Sequence, residues 1–300
     1  MVTTTEIAPQ PISRPNFEVL KGACNCHVHV MGPRAEFPLF PGRPLTYGVA
    51  TAEELSTMLG ALMLERVIVV QSVIYGTDNR CLVDAIRKFS GRARGIAVID
   101  PEVSNSVLEN LHRDGVRGVR VVINSPEASE RLMPLALKIQ PLGWHLQIYG
   151  ELPILFAKER ELCDLPVPLV IDHLGGAKAS EGPGQPGFNM LLRLLRSGNT
   201  YMKLSGLHRC SGRSDLADVE DLVLAAAEAA PERLVWGNDW PHPAHSLSDM
   251  VTASKETLVP WSNIDDGADF NLIPRWLPDP CLRRLILVDN PARLYGFPSA

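Results

Sequence analysis

Eight times along this chain a short apolar run rich in β-branched residues is followed by a longer amphipathic stretch, at intervals of roughly 25–35 residues. The runs lie at 23–30, 66–71, 94–99, 117–123, 144–149, 168–173, 200–205 and 234–239. The helix-like stretches lie at 52–64, 79–89, 104–113, 128–139, 153–161, 188–196, 215–229 and 246–258. Strands that are continuously apolar, rather than alternating, belong to a parallel sheet whose outer face is covered by helices. Eight such units without a domain-sized gap predict an α/β fold, a single (β/α)8 TIM barrel over 21–300, rather than an open sheet. Residues 1–20, polar and bearing Pro9, Pro11 and Pro15, are expected to be an N-terminal tail that lies over the barrel or is disordered. Two insertions, 33–48 after the first strand and 261–280 after the eighth helix, are long enough to act as lids, binding loops or tethers. A closing helix is expected at 280–287, and a shorter one begins at Asn290-Pro291, where proline suits a first helical turn.

The composition excludes several partners. A length of 300 residues accommodates one barrel of about 250 residues with extensions. A net charge of −5 and the lack of any basic run argue against nucleic acid. No uninterrupted apolar stretch reaches the ~18 residues of a membrane span. Met1-Val2-Thr3-Thr4-Thr5-Glu6 lacks the layout of a secretory signal, so the cytoplasm is the expected location. The six cysteines are scattered through apolar segments and are expected to be buried free thiols rather than a disulfide or zinc framework.

In such a barrel the reactive groups gather at the C-terminal ends of the strands. His27-Val28-His29 ends the first strand, and the alternation of side chains along a strand turns both imidazoles to one face. The other ends supply Gln71, Arg120, Tyr149 with Glu151, His173, Ser205 with Arg209, and Asp239 with His242. His112 and His145 fall outside this set and are expected to be structural. The fork of a guanidinium matches a carboxylate, so Arg120 and Arg209 suit an anionic ligand. Gly76-Thr77-Asp78-Asn79 is explained as the cap of the second helix. The same residues also allow a non-catalytic barrel that binds a small acid.

With Val170-Ile171-Asp172-His173-Leu174-Gly175 and Trp236-Gly237-Asn238-Asp239-Trp240-Pro241-His242-Pro243 beside the histidine pair, the chain resembles the amidohydrolase superfamily. Within it the chain is most similar to the 2-pyrone-4,6-dicarboxylate lactonase group, over about residue 20 to Phe297. Further matched stretches include Arg117-Gly118-Val119-Arg120 and Asn290-Pro291-Ala292-Arg293-Leu294-Tyr295. The resemblance implies a lactonase of aromatic-compound catabolism that hydrolyses the ring ester of a small anionic lactone. His27, His29, His173 and Asp239 would be catalytic, and Arg120, Tyr149, Arg209 and His242 would bind substrate. It implies that Asp239 activates water while the histidines polarise the carbonyl. His27, His29 and Asp239 would be the ligands of a single zinc ion if one is used, with His173 as a fourth; no cofactor is obligatory. Two positions depart from the family pattern. Asn25 replaces an acidic residue before the histidine pair. Asn124-Ser125-Pro126 carries no arginine where dicarboxylate-specific members have one, which favours a lactone gripped differently from pyrone dicarboxylate. A sugar-lactone hydrolase or isomerase and a metal-dependent decarboxylase of the same superfamily are the alternatives, and a homo-oligomer is compatible with the sequence.

Overall fold

The computed structural model describes residues 12–125, 127–244, 246, 248–252 and 254–299. Residues 1–11 of the expected tail and Pro126 lie outside the described residues. Eight parallel strands follow one another around a barrel in chain order: β1 (Cys24–Val28), β2 (Arg66–Val70), β3 (Ala93–Ala97), β4 (Val116–Ile123), β5 (His145–Gly150), β6 (Leu169–Ile171), β7 (Thr200–Leu204) and β8 (Leu234–Trp236). The ring closes where β1 meets the chain just beyond β8. There Asp239 N donates to His27 O at 3.0 Å, and His29 N donates to Trp240 O at 2.8 Å. Every strand is buried on both faces apart from the half-buried Arg66, Arg94, Arg117 and Val122, as its apolar run predicts.

Helices cover the outside at Ala52–Ala61, Arg80–Lys88, Asn105–Arg113, Leu132–Ile139, Pro186–Arg196 and Glu220–Ala229. The first starts with a capping box: Thr51 accepts from Glu54 N, and the Glu54 carboxylate accepts from Thr51 N. The helix expected at 153–161 is two short pieces, Leu152–Ala157 and Glu159–Cys163. At the second helix Asn79 turns its amide to the carbonyls of Thr77 and Val98, and Asp78 accepts from Arg80 N instead.

The largest departure from expectation lies beyond β8. Among the described residues, the helix expected at 246–258 is a single turn, Asp249–Thr252. The flanking backbone pairs with the loop after β1: Thr46 N donates to Thr257 O (3.1 Å), and Val259 N donates to Thr46 O (2.9 Å). The eighth outer position is filled by Pro280–Arg284, a π turn at Leu285–Asp289, and Asn290–Tyr295, with Ile286, Leu287 and Val288 buried. The second long insertion therefore belongs between β8 and this last helix, on the same barrel end as the other strand-to-helix loops. Residues of the expected tail are tied to it. Ser13 donates to Asp265 through its backbone N and its Oγ, and Phe17 packs edge-on to Phe270.

His112 and His145 are structural, as expected. His112 Nδ1 accepts from Trp144 Nε1 at 2.9 Å. His145, at the start of β5, is buried edge-on to Tyr295, and burial pushes its pKa down to about 3. An unfolded histidine titrates near 6.5, so the stability that a neutral His145 contributes is present above that pH and is lost as pH falls from 6.5 toward 3. Urea-unfolding midpoints of wild type and His145→Leu, measured at pH 7.5 and pH 5, test this. Wild type should lose about 2 kcal/mol more than the variant over that range. Parallel profiles would refute the assignment.

Candidate active site

The floor of the site is a carboxylate ringed by imidazoles. Asp239 sits just past β8 with φ +68°, and His173 just past β6 with φ +52°, both in the left-handed region that non-glycine residues seldom adopt. Neighbouring structure enforces these conformations. Asn25 and Asn238 bond to each other (2.6 Å), Asn25 Oδ1 accepts from Asn238 N (3.2 Å), and Asn238 Oδ1 accepts from Trp240 N (3.2 Å). Asn25, which departs from the family pattern, thus anchors the loop that carries Asp239. Gly206, at φ +54°, leaves room for His173, since a Cβ there would lie 2.5 Å from its Nδ1.

Asp239 Oδ1 lies 3.5 Å from His27 Nε2, 3.6 Å from His29 Nε2 and 3.8 Å from His173 Nε2. Its Oδ2 accepts from Arg209 Nε at 3.0 Å, with Nη2 at 2.9 Å. Burial pushes the Asp239 pKa up, but His173, Arg209, His29 and His27 outweigh it and hold the carboxyl well below the usual range. Burial pushes His173 down to about 4 despite Asp239 and Asp172 beside it, so its ring is neutral near pH 7. His29 Nδ1 lies 2.9 Å from the Val70 carbonyl, which can only accept. A neutral His29 therefore carries its proton on Nδ1 and a lone pair on Nε2. His173 Nδ1 is 2.9 Å from Ser205 Oγ.

Above this floor is a narrow cavity of about 20 Å³ whose wall includes His29, Tyr47, Ser72, Arg120, Tyr149, His173, Arg209 and Asp239. The Arg120 guanidinium stands over the Tyr149 ring at 5.1 Å, within cation–π range. A wider chamber of about 330 Å³ continues outward past Tyr149, His173 and Arg209 to Glu151, Lys178 and His208. The structure therefore brings together His29, His173, Asp239, Arg120, Tyr149 and Arg209, with His27 directly beneath. His242 is elsewhere: its Nε2 binds Asp266 Oδ1 at 2.8 Å in a buried pair, outside both cavities. Gln71 also turns away and donates to the carbonyls of Gly76 and Asp78.

Sequence reading missed Tyr47, Ser72 and a buried group beneath the floor. Asp172, Lys203 and Gln147 are all buried inside the barrel. Gln147 Nε2 and Arg120 Nε donate to Asp172 Oδ2 at 3.0 and 3.2 Å, and Lys203 Nζ donates to Gln147 Oε1 at 2.7 Å. A lysine inside an apolar strand run, Tyr201-Met202-Lys203-Leu204, was the available signal, because lysine is almost never fully buried without a partner.

His27, His173 and Asp239 offer ligand atoms that all lie within 4.8 Å of one another, a spacing at which they could hold a metal ion. This set differs from the expected His27, His29 and Asp239. His173 replaces His29, whose Nε2 reaches Asp239 but lies outside the cluster. Among the described residues, no helix is long and apolar enough to cross a membrane.

Known proteins share this architecture. The amidohydrolase family model matches residues 24–297. A 2-pyrone-4,6-dicarboxylate hydrolase of Comamonas testosteroni is 35% identical over 94% of this chain and 93% of its own. A 4-sulfomuconolactone hydrolase of Rhizobium radiobacter is 34% identical over 96% of this chain and 95% of its own. The crystal structure of an Agrobacterium tumefaciens protein, 26% identical, superimposes with a TM-score of 0.81 over 95% of this chain and all of that one. The family match spans the whole barrel and both relatives align nearly end to end, so the chain belongs to the amidohydrolase family, in its 2-pyrone-4,6-dicarboxylate lactonase-like group.

Proposed function

We propose that this chain is a lactonase that opens the ring ester of a small anionic lactone, of the pyrone dicarboxylate, muconolactone or sulfomuconolactone type, in aromatic-compound catabolism. One observation carries the reading. A buried, ionised Asp239 faces three imidazoles at the floor of a cavity walled by two arginines. The hydrolase activities named for the two relatives support the same substrate class.

The reaction follows from the donors and acceptors present. A water above the floor donates one proton to Asp239 Oδ1 and the other to the His29 Nε2 lone pair, leaving its own lone pair toward the cavity. Asp239 takes its proton as the oxygen attacks the lactone carbonyl carbon. His173 and His27 face the same point and stabilise the oxyanion. When the tetrahedral intermediate collapses, the ring C–O bond breaks, the new carboxyl group stays on the carbonyl carbon, and Asp239 returns the proton to the leaving oxygen. Arg120 and Arg209 hold the anionic group of the substrate and Tyr149 packs the ring, which converts binding into orientation. Because Arg209 also binds Asp239 Oδ2, an incoming carboxylate shares that guanidinium and loosens its hold on the base.

A single zinc ion fits the spacing of His27, His173 and Asp239, and when bound would act as a Lewis acid on the carbonyl. His27 Nδ1 lies between Asp172 Oδ1 at 3.2 Å and Lys203 Nζ at 3.3 Å, so Nε2 is the ring nitrogen turned to Asp239 and the one that would hold the ion. The steps above are assigned to the protein's own groups.

A lactone panel tests the reading: pyrone dicarboxylate, muconolactones bearing carboxyl or sulfo groups, and aldonolactones, with product identified by mass. Unsaturated acidic lactones should be opened with gain of one water, far faster than neutral aldonolactones. Loss of carbon dioxide, or no turnover of any lactone, would refute it.

A further inference from the structure

The loop that carries Asp239 bends through two left-handed residues. Asp239 (φ +68°) and His242 (φ +63°) both stand in Gly237-Asn238-Asp239-Trp240-Pro241-His242. Such conformations persist where surrounding structure over-determines them. One group from outside the loop reaches both sides of Asp239. Asp266, in the insertion between β8 and the last helix, is buried. Its Oδ1 accepts from Asn238 Nδ2 at 2.6 Å and from His242 Nε2 at 2.8 Å, while its Oδ2 has no hydrogen-bond partner among the described residues. A carboxylate is costly to bury unless it is hydrogen-bonded, and this one directs its bonds to the loop that carries the base.

Backbone donors fix the sense of the network. Trp240 N donates to Asn238 Oδ1 at 3.2 Å, so the amide nitrogen of Asn238 is the end turned to Asp266. Asn238 N and His27 N donate to Asn25 Oδ1 at 3.2 and 3.3 Å, so Asn25 Nδ2 is the donor to Asn238 Oδ1 at 2.6 Å. One leg therefore runs from Asp266 through Asn238 and Asn25 to the backbone of β1. The other leg runs through His242, whose backbone N donates to Asp239 O at 3.2 Å. Asp266 is itself held from outside. It opens the helix Asp266–Phe270, which Asp265 caps and which Ser13 and Phe17 hold against the N-terminal segment.

We infer that Asp266 is a positioning residue for the base: through one oxygen it holds Asn238 and His242, and so keeps Asp239 Oδ1 turned to the three imidazoles. His242 belongs to this clamp and not to the substrate cavity. The clamp is a property of the ligand-free protein; only its catalytic consequence rests on the lactonase reading.

Two substitutions at 266 isolate the hydrogen bonds from the shape. Asp266→Asn keeps the acceptor at Oδ1 and puts its new N–H₂ where Oδ2 bonds to nothing among the described residues. Asp266→Leu has a similar branched shape and no acceptor. The first readout is hydrogen–deuterium exchange of 237–243, where the amides of Asn238, Asp239, Trp240 and His242 donate to Asn25, His27, Asn238 and Asp239. In Asp266→Leu this segment should exchange at least about tenfold faster while β4 to β6 change less than about twofold, because the opening is local. Asp266→Asn should stay within about threefold of wild type at the same amides. The second readout is turnover of the reactive acidic lactone. Asp266→Leu should lower kcat on the order of 10²-fold with KM within about threefold, since the base is misplaced while Arg120 and Tyr149 remain. Asp266→Asn should recover kcat to within about fivefold of wild type. A carboxylate that served stability alone would loosen the whole barrel and show no such split.

Should Asp266→Leu fail to fold, His242→Asn cuts one leg only. Asparagine tolerates the left-handed backbone and is shorter than the reach of histidine Nε2, so 237–243 should exchange faster and kcat should fall about tenfold. Wild-type exchange or wild-type kcat in a folded Asp266→Leu or His242→Asn protein overturns the inference. So does an Asp266→Asn protein as impaired as Asp266→Leu. Failure of every lactone to react with the wild type, with the exchange pattern as expected, supports the clamp and counts against the lactonase reading alone.

Discussion

Asp239→Asn should lower kcat for the lactone by about 10³- to 10⁴-fold while leaving a folded barrel, because the change removes the proton acceptor and almost nothing else in shape. The amide that replaces the carboxylate would keep a carbonyl oxygen but could not accept and return a proton. Arg209, which is half-buried, would lose its carboxylate partner at 2.9–3.0 Å, which is destabilising. The melting temperature should therefore drop by several degrees without loss of cooperativity. Steady-state kinetics and a circular-dichroism melt of the same preparation check both halves. A folded variant turning over at near the wild-type rate would remove Asp239 from the role of base.

Gly237→Ala should be at least as damaging, by a different route. A Cβ at 237 would sit 2.6 Å from His27 N, 2.9 Å from His27 Cβ and 3.2 Å from Asn25 Oδ1. The nearest of these is backbone of β1, which is paired to β2 on one side and closes the barrel on the other, so it cannot yield as a side-chain end would. The substitution should cost more than about 3 kcal/mol and spread β1 from the Asp239 loop, so activity and stability fall together. Gly60→Ala is the control. It lies in the helix Ala52–Ala61, and nothing stands within 4 Å of its added methyl, so it should stabilise by up to about 1 kcal/mol. Urea midpoints of the two variants should move in opposite directions; a Gly237→Ala protein as stable as wild type would contradict the close packing at the barrel seam.

The barrel was legible in the sequence because its eight strands are buried on both faces almost throughout, which writes them as short continuous apolar runs. The site was legible where its residues sit on or just past strand ends, as with His27, His29, Tyr149 and His173. It was less legible where tertiary contacts decide. His242 follows Asp239 closely in sequence, yet the pull of Asp266 turns it out of the cavity. The stretch 246–258 has a helical pattern, but Thr257 and Val259 find backbone partners at Thr46, and one turn forms among the described residues. Tyr47 and Ser72 carry no local mark of function and reach the cavity only through the folding of the loops after β1 and β2. Lys203, Asp172 and Gln147 were hidden differently. Each lies within or just past a run read as structural, although a charge in a fully buried strand is itself a sign of a polar network.

The chemistry assigned to this site rests on protein groups alone: a carboxylate base, the three imidazoles around it, and two arginines. The most direct measurement is hydrolysis of the reactive acidic lactone by protein that has been exhaustively chelated, with its metal content determined on the same sample. Turnover that persists at the untreated rate with far less than one metal ion per chain is the predicted result. Turnover abolished by chelation and restored by one equivalent of zinc would contradict it, and would place His27, His173 and Asp239 around an ion.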